Sequence, residues 1–219
     1  WMVAASLKDD AQELPSLDIP FGPLAANQCL DTTQWIAAEG GDGKPRYDAV
    51  SREPLRLVMA RSAQSGLAGS VEALLREGLA SIGAELQVEN LPFEELLAQY
   101  YHQQERTADI YFLASEFPAP FNPFDTFAEG DFLRGYHDST SLRDAMLVAD
   151  AQAVLHAGFE NRAGYMTAWL AFQRRFMEIL PMIPLYSGAY HDFYTADLTD
   201  YNVAAYGSWA RAIVSAYLK

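Results

Sequence analysis

Residues 55–114 read LRLVMARSAQSGLAGSVEALLREGLASIGAELQVENLPFEELLAQYYHQQERTADIYFLA, and this stretch decides the fold. Leu55–Ala60 is a short apolar run of strand type. From Gly66 to Gly83, residues Val71, Leu74, Leu75, Leu79 and Ile82 recur at helical spacing, with Gly83 as the natural stop. Residues 84–90 alternate as a half-buried strand, Pro92 stands at a first-turn position of the next helix, and 108–114 is a buried strand. Strands separated by crossover helices predict a parallel sheet, because each helix must fold back to bury its apolar stripe. The expected class is α/β, a mainly parallel sheet flanked by helices. Ligands of such sheets sit beyond the carboxyl ends of the strands, which singles out the segments after Ala60 and after Ala114.

Working outward, residues 1–54 carry Pro15, Pro20, Pro23 and the run GGDGKP at 40–45, and read as a leading linker segment. One short helix is expected there, over about Asp31–Glu39, with Asp31 as its N-cap. Residues 115–140 form a Pro- and Phe-rich loop, too long for an idle connection. Two helices are expected over 141–157 and 162–180, followed by a strand in PMIPLYSG, 181–188. There is no internal repeat.

The chain has 219 residues, half of them apolar, enough for one sizeable core. Fifteen Lys and Arg against 29 Asp and Glu give a net charge of −14, which repels phosphate backbones and argues against a nucleic-acid partner. A lone cysteine, Cys29, excludes an internal disulfide and reads as a packed apolar residue. No apolar run approaches the ~20 residues of a membrane-spanning helix. The chain begins on Trp1, so a trimmed piece of a longer protein is expected.

Three segments carry a family resemblance. NRAGYMTAWLAFQRRFMEILPMIPLYSGAY resembles the C-terminal signature of family 5 solute-binding proteins, the dipeptide/oligopeptide-binding family of ABC importers, at Arg162, Pro181, Ile183, Pro184, Leu185 and Tyr186. GYHDSTSLRDAML resembles a second segment of that family at Tyr136, Asp144 and Leu147, with Asp138 where an Asn is usual. The 55–114 unit matches its strand-helix-strand-helix-Asp-strand block, with Ile82, Gly83 and Asp109 in register. The likeness runs from about residue 28 to 219 and rests on the order and spacing of these segments.

The resemblance implies the C-terminal lobe of a type II periplasmic-binding-protein fold. Residues 1–54 would lead in from a missing N-terminal lobe, 55–187 would form the α/β lobe, and 188–219 would cross back. It also implies a bacterial protein outside the cytoplasm, in the periplasm or as a cell-surface lipoprotein. There it would capture a peptide or other small solute and deliver it to a membrane permease. Neither enzymatic activity nor a cofactor is implied. Peptide binders of this family carry an Asp after the third strand for the ligand's amine. That position falls near Pro118 or Ala119 here, with Glu116 as the nearest substitute.

For ligand contacts, the residues themselves offer the following. Arg61, at the end of the first strand, could hold a carboxylate or carbonyl bidentately, or be a solvated surface arginine. Ser62, Gln64 and Ser65 offer neutral hydrogen bonds on the same loop. Ser115 and Glu116 open the long loop. Six phenylalanines lie between Phe112 and Phe132, and Phe117 and Phe121, nearest the strand end, are the candidates to face a cleft beside Asn122. Tyr136, His137 and Asp138 form a polar cluster, in which Asp138 serves equally well as a helix cap.

The four histidines lack metal-site spacing, and neither a nucleophile elbow nor a phosphate loop is present. Two alternatives stand beside solute binding. One is a hydrolase using Glu116, Asp125 and Asp131 as acid and base. The other is a sensor or scaffold that keeps the lobe without transport.

Overall fold

The computed structural model describes residues 22–39, 43–114, 122–127, 140, 142, 144–157, 160–186, 191–203 and 209–219. Its centre is a three-stranded sheet of β3 (Arg56–Ser62), β4 (Glu85–Leu91) and β5 (Ile110–Phe112), in the order β4-β3-β5 with both pairings parallel. Helix α2 (Gly66–Ser81) connects β3 to β4, and α3 (Phe93–Tyr100) connects β4 to β5. The parallel sheet expected from the sequence is therefore present, with its last strand shorter than the 108–114 run.

The local chemistry explains the boundaries. Ser65 caps α2 by accepting the Ala68 N–H at 3.3 Å, and Gly83, at φ 80°, turns the chain into β4. A side chain at Gly83 would collide with the Lys44 carbonyl, so the tight approach there requires glycine. Met59, Ala60 and Leu96 are fully buried where the helices cover the sheet.

Beyond the sheet, α4 (Pro123–Phe127), α5 (Ala145–Ala157) and α6 (Arg162–Ile179) enclose a second apolar cluster. Phe127, Leu147, Ala151, Val154, Trp169, Phe172 and Phe176 make it, with the rings of Phe127, Phe172 and Phe176 in mutual contact. Each of the larger side chains contributes about 1.5–3 kcal/mol on burial. Helix α5 begins later than the expected Ser141, because Asp144 accepts the Leu147 N–H at 2.7 Å as its cap. Asp144 is also gripped through both oxygens by Arg175 of α6, which bonds Glu178 as well. Asn161 caps α6, and Leu180, at φ 44°, ends it.

Three expectations fail. The strand expected in PMIPLYSG is not formed over the described residues 181–186, where Pro181 and Pro184 lack an N–H and Ile183, Leu185 and Tyr186 stay exposed. The helix expected over 31–39 is also absent. A helix α1 (Pro23–Leu30) lies just before it, and Asp31 closes that helix instead of opening one. The Thr32 and Thr33 hydroxyls donate back to the Cys29 and Leu30 carbonyls, and β1 (Trp35–Ala37) pairs antiparallel with β2 (Arg46–Asp48). Cys29, expected to be packed, is exposed.

This leading segment is bonded to the lobe. Arg46, only 3% exposed, donates to Trp35 O, Asn27 Oδ1 and Asp31 Oδ1, each at 2.8 Å. Its backbone N–H reaches Gly83 O, and Leu55 N–H reaches Arg46 O, both at 2.8 Å. At the other end, β6 (Leu198–Thr199) pairs with β7 (Tyr217–Leu218) around a short α7 (Trp209–Ala212).

The Arg175 guanidinium and the Leu147 amide hold the Asp144 carboxyl down at about 2, below its usual value. Because the folded-state value is depressed, the stability it confers is complete above about pH 4 and is lost as pH falls toward 2. Asp144→Asn keeps the cap and loses the charge. Its urea midpoint should lie below that of the unsubstituted chain by a constant amount above pH 5, and the gap should close between pH 4 and 2. A gap that widens on acidification would contradict this assignment.

Candidate functional site

The order β4-β3-β5 means that the two crossovers run in opposite directions, from β3 out to β4 and from β4 back past β3 to β5. Right-handed connections then place α2 and α3 on opposite faces of the sheet. Side chains agree: Arg61 on one face reaches Glu72 of α2, while Tyr111 on the other donates to Gln99 of α3 at 2.9 Å. The strand order therefore switches between β3 and β5, and the carboxyl ends of those two strands are where open α/β sheets take their ligands. Arg61 lies directly beside Phe112 in the register, so the chain leaves both strands at the same end.

Asp109 fixes that register. Its backbone N–H donates to Val58 O at 2.9 Å and its carboxylate accepts the Val58 N–H at 2.8 Å, so one residue satisfies both β5-facing groups of Val58. On the α3 face, Gln99 Oε1 is shared by the Thr107 N–H, the Thr107 hydroxyl and the Tyr111 hydroxyl. The Arg106 guanidinium stacks on the Tyr111 ring, 4.4 Å from its centroid. These contacts hold the approach to β5.

At the carboxyl end of β3 the turn is internally satisfied. Ser62 Oγ accepts the Gln64 N–H at 3.3 Å, Ser62 O accepts the Ser65 N–H at 3.2 Å, and Ser65 Oγ caps α2. The guanidinium of Arg61 is turned onto α2, where its Nη2 meets Glu72 Oε2 at 3.0 Å. Glu72 is shared with Arg76, and Arg76, ahead of Arg61, holds its carboxyl below the usual value. Nε of Arg61 is buried without an acceptor among the described residues. Asn122 accepts the Phe124 N–H at 3.0 Å, opening α4.

The structure thus brings Arg61 and Ser62 together at one strand end and gives Asn122 a capping role. Ser115, Glu116, Phe117, Phe121, Tyr136 and Asp138 lie outside the described residues, as does Asp131 of the hydrolase alternative, while Asp125 is exposed on α4. Glu72 was missed by sequence reasoning. Its i,i+4 spacing to Arg76 is legible, but its eleven-residue separation from Arg61 carries no local signal. A shallow concavity by Arg56, Arg76, Ala84, Glu85 and Gln87 lies at the opposite end of the sheet, and both its arginines are paired. Among the described residues no group of His, Cys, Asp and Glu could hold a metal, and no helix is long and apolar enough to cross a membrane.

With this geometry in hand, solved structures decide the fold. NikA from Brucella suis, in complex with Fe(III)-EDTA, superimposes with a TM-score of 0.55 at 18% identity, over 77% of this chain and 33% of its own. The periplasmic oligopeptide-binding protein of Thermotoga maritima, bound to mannohexaose, gives 0.56 at 15% identity, over 83% and 34%. The oligopeptide-binding protein AppA of Bacillus subtilis, with a nonapeptide, gives 0.53 at 15%, over 71% and 29%. The fold is that of a periplasmic binding-protein lobe. The chain spans about a third of the length of these binding proteins. No protein-family model matches the sequence, and no curated protein matches it.

Asp109 predicts a measurable effect on this periplasmic-binding-protein lobe. Asp109→Ala leaves the Val58 N–H without its carboxylate and should cost about 1 kcal/mol in urea unfolding, with faster exchange at the Val58 amide, whereas Asp109→Asn should recover most of it. Equal stability of the alanine variant and the unsubstituted chain would contradict the locking role.

Proposed function

We propose that the chain is the C-terminal lobe of an extracytoplasmic solute-binding protein of the dipeptide/oligopeptide-binding family. It captures a peptide or another small solute between two lobes and delivers it to an ABC permease. The observation that carries this is the pair of carboxyl ends, β3 and β5, meeting at the strand-order switch of a fold shared with solute-binding proteins over a third of their length. Closure of two lobes favours docking through differential affinity for the closed form.

In this reading residues 55–187 form the lobe, 1–54 arrive from the first lobe, and 188–219 return to it. The return segment has the surface for that. Phe193 is 96% exposed, Val214 84%, Leu218 67% and Trp209 63%. In the full-length protein the first lobe would cover these exposed apolar side chains. Of the contact residues named from the sequence, Arg61, Ser62, Ser115, Glu116, Phe117, Phe121, Asn122, Tyr136 and Asp138 border the solute, with Phe117 and Phe121 supplying aromatic faces.

The solute is found by a thermal-shift screen of the full-length protein against peptides, oligosaccharides, opines and metal chelates. A cognate solute at 100 times its dissociation constant adds about 2.7 kcal/mol. The 219-residue chain alone should bind that solute weakly or not at all, since half of the cleft and its exclusion of water are missing. A sub-micromolar dissociation constant on the chain alone would contradict the two-lobe reading.

A further inference from the structure

Helix α1 buries no apolar residue completely. Its one buried residue is Asn27, and Leu24 is 69% exposed. A helix of eight residues does not persist on its own, so its position depends on what it bonds to. Arg46 supplies that bonding. Its guanidinium donates to Asn27 Oδ1 within α1, to Asp31 Oδ1 at the end of α1 and to Trp35 O on β1. Its main chain is tied to the lobe on both sides, the N–H donating to Gly83 O and the carbonyl accepting the Leu55 N–H. The hairpin is seated closely there, since a Cβ on Gly83 would stand 1.9 Å from Lys44 O. One residue thus joins α1 and β1 to the turn between α2 and β4.

We infer that Arg46 is a clasp: it makes residues 23–54 part of the lobe's rigid body, so that rotation between the two lobes takes place ahead of α1 and not at the head of β3. The inference rests on the two-lobe reading and narrows the segment arriving from the first lobe to residues 1–22. A buried guanidinium suits a clasp, because removing one of its partners leaves part of a buried charge unpaired, a cost that an exposed ion pair does not carry. Arg46 is 3% exposed, and its three side-chain acceptors come from α1, the residue that closes it and β1. Held in this way, α1 and the β1–β2 hairpin turn with the sheet as the lobes close.

The test uses two spin labels on the 219-residue chain, one on Cys29, its single cysteine and exposed on α1, and one on Leu74→Cys, a position 71% exposed on α2. With Arg46 in place, the distances between them should form one narrow distribution. Arg46→Ala should broaden that distribution. It should also speed exchange of the Ala38 and Ala49 amides, which bond Pro45 O and Gln34 O, by about tenfold or more, the scale of one hydrogen bond to a charged group. The Val58 amide, inside the sheet, should keep its rate. Arg46→Lys, which keeps the charge and loses the fork, should fall between the two. If Arg46→Ala does not fold, Asn27→Ala combined with Asp31→Ala removes two acceptors, leaves Arg46 in place and should broaden the distribution likewise. A broad distribution in the chain with Arg46 intact, or variants with unchanged width and exchange, overturns the inference. Failure of the two-lobe reading would appear separately, as a full-length protein that no solute stabilises while the labelled chain behaves as expected.

Discussion

The double hydrogen bond between Asp109 and Val58 is the contact on which the arrangement of the sheet depends. A strand as short as β5, with three paired residues, has little of its own to fix its register against β3. One residue presenting both an N–H and a carboxylate to the same partner fixes it, since a slip of one position would break both bonds and turn every β5 side chain to the other face. With the register set, Ala60 beside Tyr111 leaves room for α3, Arg61 beside Phe112 faces α2, and the chain leaves β3 and β5 side by side. That adjacency sets the strand-order switch at which ligands of open α/β sheets bind.

Much of this was legible in the sequence because it is local. The helical spacing of Val71, Leu75 and Leu79, the stop at Gly83 and the strand-helix alternation need only neighbouring residues to be read, and the resemblance placed Asp109 at the head of the third strand. Other features were decided by partners far along the chain. Asp31 looks like a helix N-cap, yet its carboxylate is taken by Arg46 and the residues after it pair with β2. Pro181–Tyr186 looks like a strand, but a strand needs an edge to join, and among the described residues none is joined there. The candidate site was legible only as a place: the sequence pointed to the end of β3, and it did not reveal that Glu72 holds Arg61.

Two arginines tie the elements together: buried Arg46 joins α1, β1 and β2, and partly exposed Arg175 joins the cap of α5 to α6. Each gathers several acceptors, so that the cost of burying the charge is offset by well-placed partners. In the 191–219 segment, among the described residues, β6 and β7 pair with each other, while Trp209, Val214 and Leu218 face outward.

The central claim is that solute enters at the carboxyl ends of β3 and β5. Hydrogen–deuterium exchange of the full-length protein, with and without the solute that stabilises it, tests this most directly. The account predicts slowed exchange at amides of residues 62–68 and 122–127, with those of Arg56 and 84–87 at the opposite end of the sheet unchanged. Protection confined to that opposite end would contradict it.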